Sequence, residues 1–584
     1  MSRAVHATHR RFRSLLSSLI MPRVLSRHLA ALPCAIVLCC AVGCRGSDRP
    51  TPAGAGDVGG TMIIVQPAEP RTLFPPTMSE TSGLVVIDAI FDRLAEIGPE
   101  LETNGDGGFQ PRLAQSWTWA KDSLSIAFAL NPKARWHDGA PVRAEDVRYT
   151  FAVYTADIVG AANKAAVGNI DSVSVRDSLT AVFWFKRRLP SQFFEATYNM
   201  YILPSHLLAS LPMAALETAP FGHNPIGTGR FRFAKWDPNA RLEIIADTAN
   251  ARGRAKLDRV VWTFAQDAGA ATVKLFAGEA DFYEAVRPEN QQQLKAAPQL
   301  RLEENRPLQY GYLQYNLHTR GKTMRQGPPH PVLGDLTVRR ALAMAVDRAR
   351  DARNVFDVFG MVALAPAPRA FIPDTSALTQ IPYNPPAARA LLDSAGWRVN
   401  PRDSIRERNG VRLSFEMMTA SSSQSGQTYT VLLQAQFKAI GVDAKPLTLD
   451  GRGMGQRVES GNWDSFMNTW SMSPGRLGMP LTWSTRGSLN FGGYASAAFD
   501  STLDRALSTF DAATARGRWT RVFQQLIDDQ PGLFLYEQRT PVAIHVRIRN
   551  TPLRPDAWSA GLADWTIDPK QRIARDRIGL GSAR

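Results

Sequence analysis

Cysteine is scarce in this sequence and confined to its start. The chain has 584 residues and four cysteines, all of which precede residue 45. The rest of the chain therefore has no disulfide and no cysteine-based zinc site. The nine histidines are dispersed, three of them before residue 29, and form no close pair of metal ligands. We predict neither a metal site nor a cofactor.

Familiar catalytic motifs are also missing. The sequence contains no Gly-x-Ser-x-Gly turn and no His-Glu-x-x-His pair. His137 and Asp138 are adjacent, and turn neighbours do not share one proton without a third group, so we interpret them as turn-fixing residues. The glycine-rich segments 224–229 and 451–455 lack the strand-to-helix context of phosphate loops, which favours simple backbone turns. We predict that the protein is not an enzyme.

Charge of one sign does not accumulate in blocks. The formal net charge is +15, but the first 44 residues hold six arginines and no acid. Elsewhere basic and acidic residues alternate, which indicates a solvated surface. A nucleic-acid partner is therefore not expected.

The first residues have the pattern of an export signal. Arg23 and Arg27 precede an apolar stretch at 29–42, which is shorter than the ~18 residues of a spanning helix. The sequence Ala41-Val42-Gly43-Cys44 resembles a bacterial lipobox, although Ala41 stands where leucine is usual. We predict a signal peptide at 1–44, starting at Met1 or Met21, and lipidation of Cys44. An ordinary signal peptide or a short membrane anchor is the alternative.

A flexible tether and a mixed α/β body follow. Residues 45–58 are rich in glycine, proline and small polar residues, as flexible linkers are. No later stretch has the pattern of a spanning helix. Strand patterns are predicted at 61–65, 124–130, 230–236, 241–246, 260–264, 413–418 and 533–537. Helices are predicted at 335–350 with an Asp335 cap, 384–396 with an Asn384 cap, 428–440, and around the apolar stripes at 499–510 and 519–527.

The chain resembles the extracytoplasmic solute-binding proteins of family 5, the oligopeptide-, dipeptide- and nickel-binding proteins of ABC importers. The likeness extends from about residue 59 to about 555. Its blocks stand in the order of that family: Gly59-Gly60-Thr61, Leu113-Ala114-Gln115-Ser116-Trp117, Trp136-His137-Asp138-Gly139, Asn224-Pro225-Ile226-Gly227-Thr228-Gly229, Lys256-Leu257-Asp258, Val338-Arg339-Arg340-Ala341-Leu342, Ala395-Gly396-Trp397 and Asn490-Phe491-Gly492-Gly493-Tyr494.

The resemblance implies an α/β, two-lobed periplasmic-binding-protein-like fold with an extra third subdomain and a ligand cleft between the lobes. Residues 59–90, 207–306 and 536–584 are then expected to form the N-terminal lobe. Residues 91–206 are expected to form the extra subdomain, and 307–535 the C-terminal lobe. Closure of such a cleft on a ligand is a signal that a permease can recognise.

The resemblance also suggests ligand-binding residues. Peptide-binding relatives carry a tryptophan followed three residues later by an aspartate that pairs with the α-ammonium group of the peptide. Here the corresponding residues are Trp470 and Ser473, and a hydroxyl does not neutralise a buried ammonium. Trp470 is predicted as a cleft wall or a core residue. Thr81, Ser82 and Arg369 are weaker candidates.

These features predict a monomeric, lipid-anchored binding protein, exported to the periplasm or cell surface, for peptides or a related polar solute. Its partners would be ABC permease subunits with their ATPases and a membrane. An oligosaccharide or metal-chelate receptor of the same fold is an alternative, because sugars stack on aromatic faces without an ion pair. A surface-anchored hydrolase and a non-transport lipoprotein belong to other classes and remain open.

Overall fold

Two large β-sheets organise the described part of the chain. The computed structural model describes residues 57–161, 164–287, 290–321, 327–475 and 478–580. The strands are β1 Thr61–Gln66, β2 Ala95–Ile97, β3 Phe109–Pro111, β4 Ala114–Trp119, β5 Ser125–Leu130, β6 Ile170–Asp177, β7 Thr180–Phe185, β8 Phe231–Asp237, β9 Arg241–Ala246, β10 Arg259–Phe264, β11 Phe282–Tyr283, β12 Leu300–Asn305, β13 Gln309–Tyr315, β14 Gly360–Val362, β15 Arg398–Val399, β16 Arg406–Arg408, β17 Val411–Arg412, β18 Ser414–Ala420, β19 Asp443–Leu449, β20 Ser465–Ser471, β21 Gly532–Gln538, β22 Thr540–His545, β23 Ile548–Arg549 and β24 Thr566–Ile567. The helices are α1 Thr81–Ile90, α2 Ala144–Thr155, α3 Gln192–Thr197, α4 Ser205–Leu208, α5 Ala268–Phe276, α6 Gln291–Lys295, α7 Leu336–Ala345, α8 Arg348–Phe356, α9 Pro385–Ser394, α10 Gln424–Lys438, α11 Gly451–Glu459, α12 Gly478–Trp483, α13 Ala497–Leu507 and α14 Ala512–Asp529.

The first sheet has seven strands in the order β12-β22-β11-β1-β10-β9-β8. Strand β1 runs parallel to β10 and β11, whereas the β10–β9, β9–β8, β11–β22 and β12–β22 pairs are antiparallel. Apolar side chains are buried on both faces, with Ile64 in one cluster and Val65 in another. A sheet buried on both faces matches the nearly continuous apolar strands of the sequence.

The second sheet has six strands in the order β14-β21-β13-β20-β18-β19. Strands β18 and β19 are parallel and are connected through α10, in agreement with the strand predicted at 413–418 and the helix predicted at 428–440. Buried residues of α7, α9 and α10 share one apolar cluster with Leu313 and Leu533 of the sheet. One face of this sheet is therefore covered by helices.

A third region, residues 94–202, contains the four-stranded sheet β4-β5-β7-β6. Its buried side chains, such as Phe128 and Phe193, belong to one continuous cluster with Tyr310, Tyr312 and Phe534 of the six-stranded sheet. The other face of the six-stranded sheet thus packs into the same core as this region, together with buried residues of α13 and α14 such as Phe499 and Trp519.

Local capping signals in the sequence are confirmed. The Asp335 carboxylate accepts a hydrogen bond from Thr337 N at 2.9 Å at the start of α7. The Asn384 side chain accepts from Ala387 N at 3.0 Å, and Pro385 is the first residue of α9. These side chains satisfy backbone donors that a helix start leaves unpaired.

Two sequence predictions are wrong in detail. The predicted helix at 335–350 is two helices, because Val346 is extended and the Asp347 carboxylate caps α8 by accepting from Arg350 N at 3.0 Å.

The segment 451–455, predicted as a turn, follows β19 and opens helix α11. There the Asp450 carboxylate accepts from Gly453 N at 2.6 Å. A carboxylate at this position already occupies the helix N-terminus that a phosphate would need.

A buried charge cluster ties the end of the described chain to its first strand. Arg547 Nε donates to Asp281 Oδ1 at 2.8 Å, and Arg547 Nη1 donates to Asp576 Oδ2 at 2.5 Å. Arg547 Nη2 also donates to Thr61 O at 2.8 Å, and Thr61 N donates to Asp576 Oδ1 at 2.9 Å. All three charged side chains are essentially inaccessible to water. Complete hydrogen bonding is what makes such burial tolerable.

The chain crosses between the two large sheets in short segments. It passes from β12 to β13 through residues 306–308 and from β21 to β22 at Arg539. Strand β21 pairs with β14 as far as Gln538, so this second crossing begins just after it. The assignment of 59–90, 207–306 and 536–584 to one lobe, 91–206 to an extra subdomain and 307–535 to the other lobe stays a prediction.

We predict that Glu195→Gln stabilises the protein at pH 8 but not at pH 5. Glu195 of α3 is 3% exposed, and burial raises the pKa of its carboxyl from 4.5 to about 7. The folded state therefore binds more protons than the unfolded state between these values, so stability falls as pH rises through this window. The gain at pH 8 should be at most about 3 kcal/mol. Denaturant unfolding at both pH values measures it, with Glu459→Gln at the exposed end of α11 as the control. An equal effect at pH 5 and pH 8 would contradict this prediction.

Candidate functional site

The face of the six-stranded sheet that lies opposite α7, α9 and α10 carries a row of aromatic side chains, of which Tyr310, Tyr312 and Phe534 are buried. Trp470 of β20 lies directly opposite Tyr310 of β13, and Asn468 lies opposite Tyr312. Directly opposed residues project to the same side of a sheet. We call the side that bears Tyr310, Tyr312, Trp470 and Phe534 the aromatic face.

Close ring contacts fix this face. Tyr310 and Tyr312 have ring centroids 5.3 Å apart, and Trp483 of α12 lies 5.7 Å from Tyr312 and 5.8 Å from Phe534. Asn468 Nδ2 donates to the Tyr312 hydroxyl oxygen at 2.9 Å. Burial raises the pKa of the Tyr312 phenol, so this hydroxyl stays neutral at physiological pH. The face is an apolar wall that carries a few oriented polar groups.

Trp470 stands at the edge of this wall. It is half-buried and packs against the core that contains Tyr310, so it is neither a fully buried core residue nor a free surface residue. Ser473, three residues later, is exposed just beyond the end of β20. An aromatic side chain with one open side is suited to stacking on a ligand.

Arg369 reaches the same sheet through an ion pair. It begins a short 3-10 helix, and its backbone N–H donates to Glu537 Oε2 of β21 at 2.9 Å. Its Nε lies 3.4 Å from Glu537 Oε1, and its Nη2 donates to Val362 O of β14 at 2.8 Å. Arg369 is therefore fixed beside β21 rather than free on the surface.

Thr81 and Ser82 lie with the other sheet. They form the first turn of α1, where Thr81 is exposed, and Gln66 Nε2 of β1 donates to Ser82 O at 3.5 Å. Among the residues that the structure describes, no hydrogen bond or ion pair joins these two residues to Trp470, Ser473 or Arg369. The predicted residues thus form two groups, one associated with each large sheet.

The sequence analysis did not predict Glu537 as a residue of the site. Its side chain is 12% exposed, and burial raises the pKa of its carboxyl to about 7 although Arg369 opposes this shift. The available signal was an acid at the end of the otherwise apolar run Leu533-Phe534-Leu535-Tyr536. Strand patterning alone does not distinguish such an acid from the last exposed residue of a strand.

Residues 94–202, the third region of the fold, contact residues 475–510 beside the aromatic face. Asn104 Nδ2 donates to Thr509 O at 3.4 Å, and the Arg188 guanidinium lies 4.3 Å from the centre of the Phe510 ring. A Cβ on Gly475, just beyond β20, would come within 2.4 Å of the Phe194 ring. Only a glycine allows this approach. These contacts join residues 94–202 to the part of the chain that carries the aromatic face.

His137 and Asp138 hold backbone and a neighbouring side chain. His137 Nδ1 accepts from Gly227 N at 3.2 Å, and Nε2 lies 2.9 Å from Gly229 O, so the ring is used on both sides. Burial lowers the pKa of the His137 imidazole. Asp138 Oδ2 lies 2.8 Å from His206 Nε2. The arrangement matches the turn-fixing interpretation of this block.

The described residues contain neither a metal-binding cluster nor a membrane-spanning helix. In that part of the chain, no group of three or more His, Cys, Asp or Glu side chains is arranged to hold a metal ion. None of the helices there has the length and apolar character needed to cross a bilayer. Cys44, the lipobox and residues 45–56 lie outside the described residues.

Similar proteins have the same fold. The chain is 25% identical over 543 residues to the oligopeptide-binding protein AppA of Bacillus subtilis, covering 91% of this chain and 96% of that protein. The solved structure of B. subtilis AppA with a nonapeptide superposes with a TM-score of 0.72 at 22% identity, covering 88% of this chain and 100% of that one. NikZ of Campylobacter jejuni, solved with Ni(L-His), gives 0.71 at 23% identity, covering 87% and 99%.

These superpositions confirm the predicted α/β, two-lobed periplasmic-binding-protein fold. A family model described as bacterial extracellular solute-binding proteins, family 5 middle, matches residues 108–489, which is more than half of the chain. The resemblance found in the sequence blocks is therefore confirmed. The chain belongs to the family 5 bacterial extracellular solute-binding proteins.

Proposed function

We propose that this protein is the substrate-binding protein of an ABC importer and captures a peptide or a related polar solute by closure of its two lobes. The observation that carries the proposal is the aromatic face, with half-buried Trp470 and the Arg369–Glu537 pair, within a family 5 fold. A relative with this fold, B. subtilis AppA, is named for oligopeptides and was solved with a nonapeptide. An aromatic surface can stack on the peptide, and paired charges can bind its charged termini.

Closure would be the signal to the transporter. The contacts of Asn104 with Thr509 and of Arg188 with Phe510 bridge distant parts of the chain and would open if the lobes separated. A ligand that touches both lobes favours the closed form by its differential affinity for that form. The permease with its ATPases would then receive the loaded, closed protein.

A metal chelate or an oligosaccharide is the second candidate ligand. The family resemblance implies an ammonium-binding aspartate at the position where this chain has Ser473, and NikZ was solved with Ni(L-His). Trp470 would stack on a sugar ring or an imidazole without needing an ion pair at position 473.

We further propose that the protein is exported and held on the periplasmic side of a membrane or at the cell surface through lipidated Cys44. The apolar segment 29–42 and the lipobox-like Ala41-Val42-Gly43-Cys44 support this anchor. The tether 45–58 would let the folded body reach a permease. We propose that it acts as a monomer, without catalysis.

A ligand screen tests the function. Isothermal calorimetry of the purified protein should detect binding of some members of a panel of di- to hexapeptides and none of an oligosaccharide panel. Small-angle scattering should show a smaller radius of gyration with the bound peptide, because closure compacts the molecule. Binding of oligosaccharides or of Ni²⁺–histidine alone would select the second candidate. Peptide hydrolysis by the pure protein would contradict a binding role.

Trp470→Ala should weaken binding of the best peptide by at least about 1 kcal/mol, or about fivefold in Kd, with little change in melting temperature. The reason is that Trp470 has an open side for stacking, whereas its other side rests on the core. Trp184→Ala is the matched control, since Trp184 is 46% exposed on β7, away from the aromatic face. A lowered melting temperature with unchanged affinity would assign Trp470 to the core.

Cys44→Ala should release the protein from membranes. Acyl chains on Cys44 would contribute ~0.8 kcal/mol per buried methylene, and two or three chains give stable anchoring. Cell fractionation and immunoblotting measure the distribution, with Cys40→Ala as a control that should stay membrane-bound. Tight membrane association of the Cys44→Ala protein would exclude the lipobox interpretation.

A further inference from the structure

Glu537 points to the aromatic face. A β-bulge where β21 pairs with β13 places Leu535 and Tyr536 together in the apolar cluster on the helix side of the sheet. The Tyr536 ring accordingly stacks on Tyr429 of α10, with ring centroids 4.8 Å apart. Side chains alternate along a strand, so Glu537 projects to the opposite side. Its partner Arg369 starts the 3-10 helix whose Phe371 belongs to the core under the aromatic face.

The Glu537 carboxylate is buried with incomplete bonding. Oε2 accepts one hydrogen bond, from Arg369 N. Oε1 is buried and accepts no hydrogen bond, and the nearby Arg369 Nε is not aligned to donate to it. In the described part of the chain, Arg369 is the charged side chain that contacts this carboxylate, and β14 places uncharged Met361 opposite Glu537. An ionised carboxylate has room for about four donors, so Glu537 keeps unused acceptor capacity.

The arrangement of Arg369 leaves that capacity open. Its Nη2 is held by Val362 O, and its buried Nε, 3.4 Å from Oε1, makes no hydrogen bond, so neither atom of this ion pair is satisfied by the other. A fully satisfied buried acid shows aligned hydrogen bonds, as Asp281 does with Arg547 at 2.8 Å and 2.9 Å. A further donor at Oε1 would therefore stabilise the ionised Glu537.

We propose that Glu537 binds a positively charged group of the ligand, an ammonium or guanidinium, through Oε1. This inference rests on the proposed function and names the ligand class: a cationic peptide or amine. It also accounts for Ser473, because the acid absent beside Trp470 is supplied from β21 on the same face of the sheet. Glu537 is then a specificity-determining residue, with Arg369 as the counterion that keeps the empty site from carrying an isolated buried charge.

Two matched peptide pairs test the inference by calorimetry. One pair is tetra-alanine and Nα-acetyl-tetra-alanine, and the other is Ala-Lys-Ala-Ala and Ala-norleucine-Ala-Ala. The wild-type protein should bind the charged member of at least one pair about tenfold more tightly, the scale of a charge-assisted hydrogen bond. Glu537→Gln should reduce that ratio to below about threefold while the affinity for the uncharged member stays the same. The glutamine keeps the size of the side chain and its acceptor for Arg369 N.

Two further variants make the test specific. Arg369→Gln should increase the preference for the charged peptide, because Glu537 loses its competing cation. Glu195→Gln removes another buried acid of raised pKa, whose carboxylate in α3 accepts from Ser191 rather than from Arg369, and should leave the preference unchanged. Melting temperatures check that each variant is folded.

The outcomes separate this inference from the proposed function. A wild-type protein that binds these peptides without a preference for charge would overturn the role of Glu537 alone. The same holds if Glu537→Gln keeps the wild-type preference. Failure of the wild-type protein to bind any of the four peptides, with binding of a sugar or a metal chelate instead, would remove peptide capture and this inference together.

Discussion

The architecture depends on how little chain connects the two large sheets. The two crossings, at 306–308 and at Arg539, share one carboxylate: Arg539 Nη1 lies 2.9 Å from Glu304 Oε2, and Arg306 Nη2 lies 3.7 Å from it. Glu304 is the next-to-last residue of β12, beside the first crossing. Neighbouring crossings of a few residues allow rotation about one axis while they limit sliding, which is the geometry of a hinge. The Glu304 carboxylate thus contacts an arginine of each crossing segment.

Contacts within the protein itself join residues 94–202 to the part of the chain that carries the aromatic face. Residues 94–202 share a continuous apolar core with the aromatic face, and Arg188 over Phe510 adds a contact worth about 0.5–1 kcal/mol. If the two lobes close on a ligand as proposed, these contacts lower the free energy that the ligand has to supply. Beyond the shared core, one long hydrogen bond and one cation–π pair join the two regions.

Local chemistry was predictable from the sequence, and long-range placement was not. Asp335 and Asn384 cap helices because a short polar side chain bonds the backbone three residues away or nearer, a relation visible in the sequence. The error at 335–350 has the same origin: the apolar spacing continues through Asp347, although this residue also caps a second helix. Glycines at 451–455 favour a turn in isolation, whereas packing on β18 and β19 makes them helical. The family blocks gave the fold class because eight of them occur in order.

Two buried charge groups in this protein have the same chemistry but differ in completeness, and that difference separates structure from function. Around Arg547, two aspartates and a backbone carbonyl satisfy the guanidinium, and Asp281 also accepts from Ile63 N and Arg575. Such a cluster joins chain segments and has no capacity left for a ligand. Glu537 is nearly as buried, yet one of its oxygens has no hydrogen bond and its pKa stays high. An unsatisfied buried acid costs stability, and in the proposed role of Glu537 a bound cation would complete its bonding.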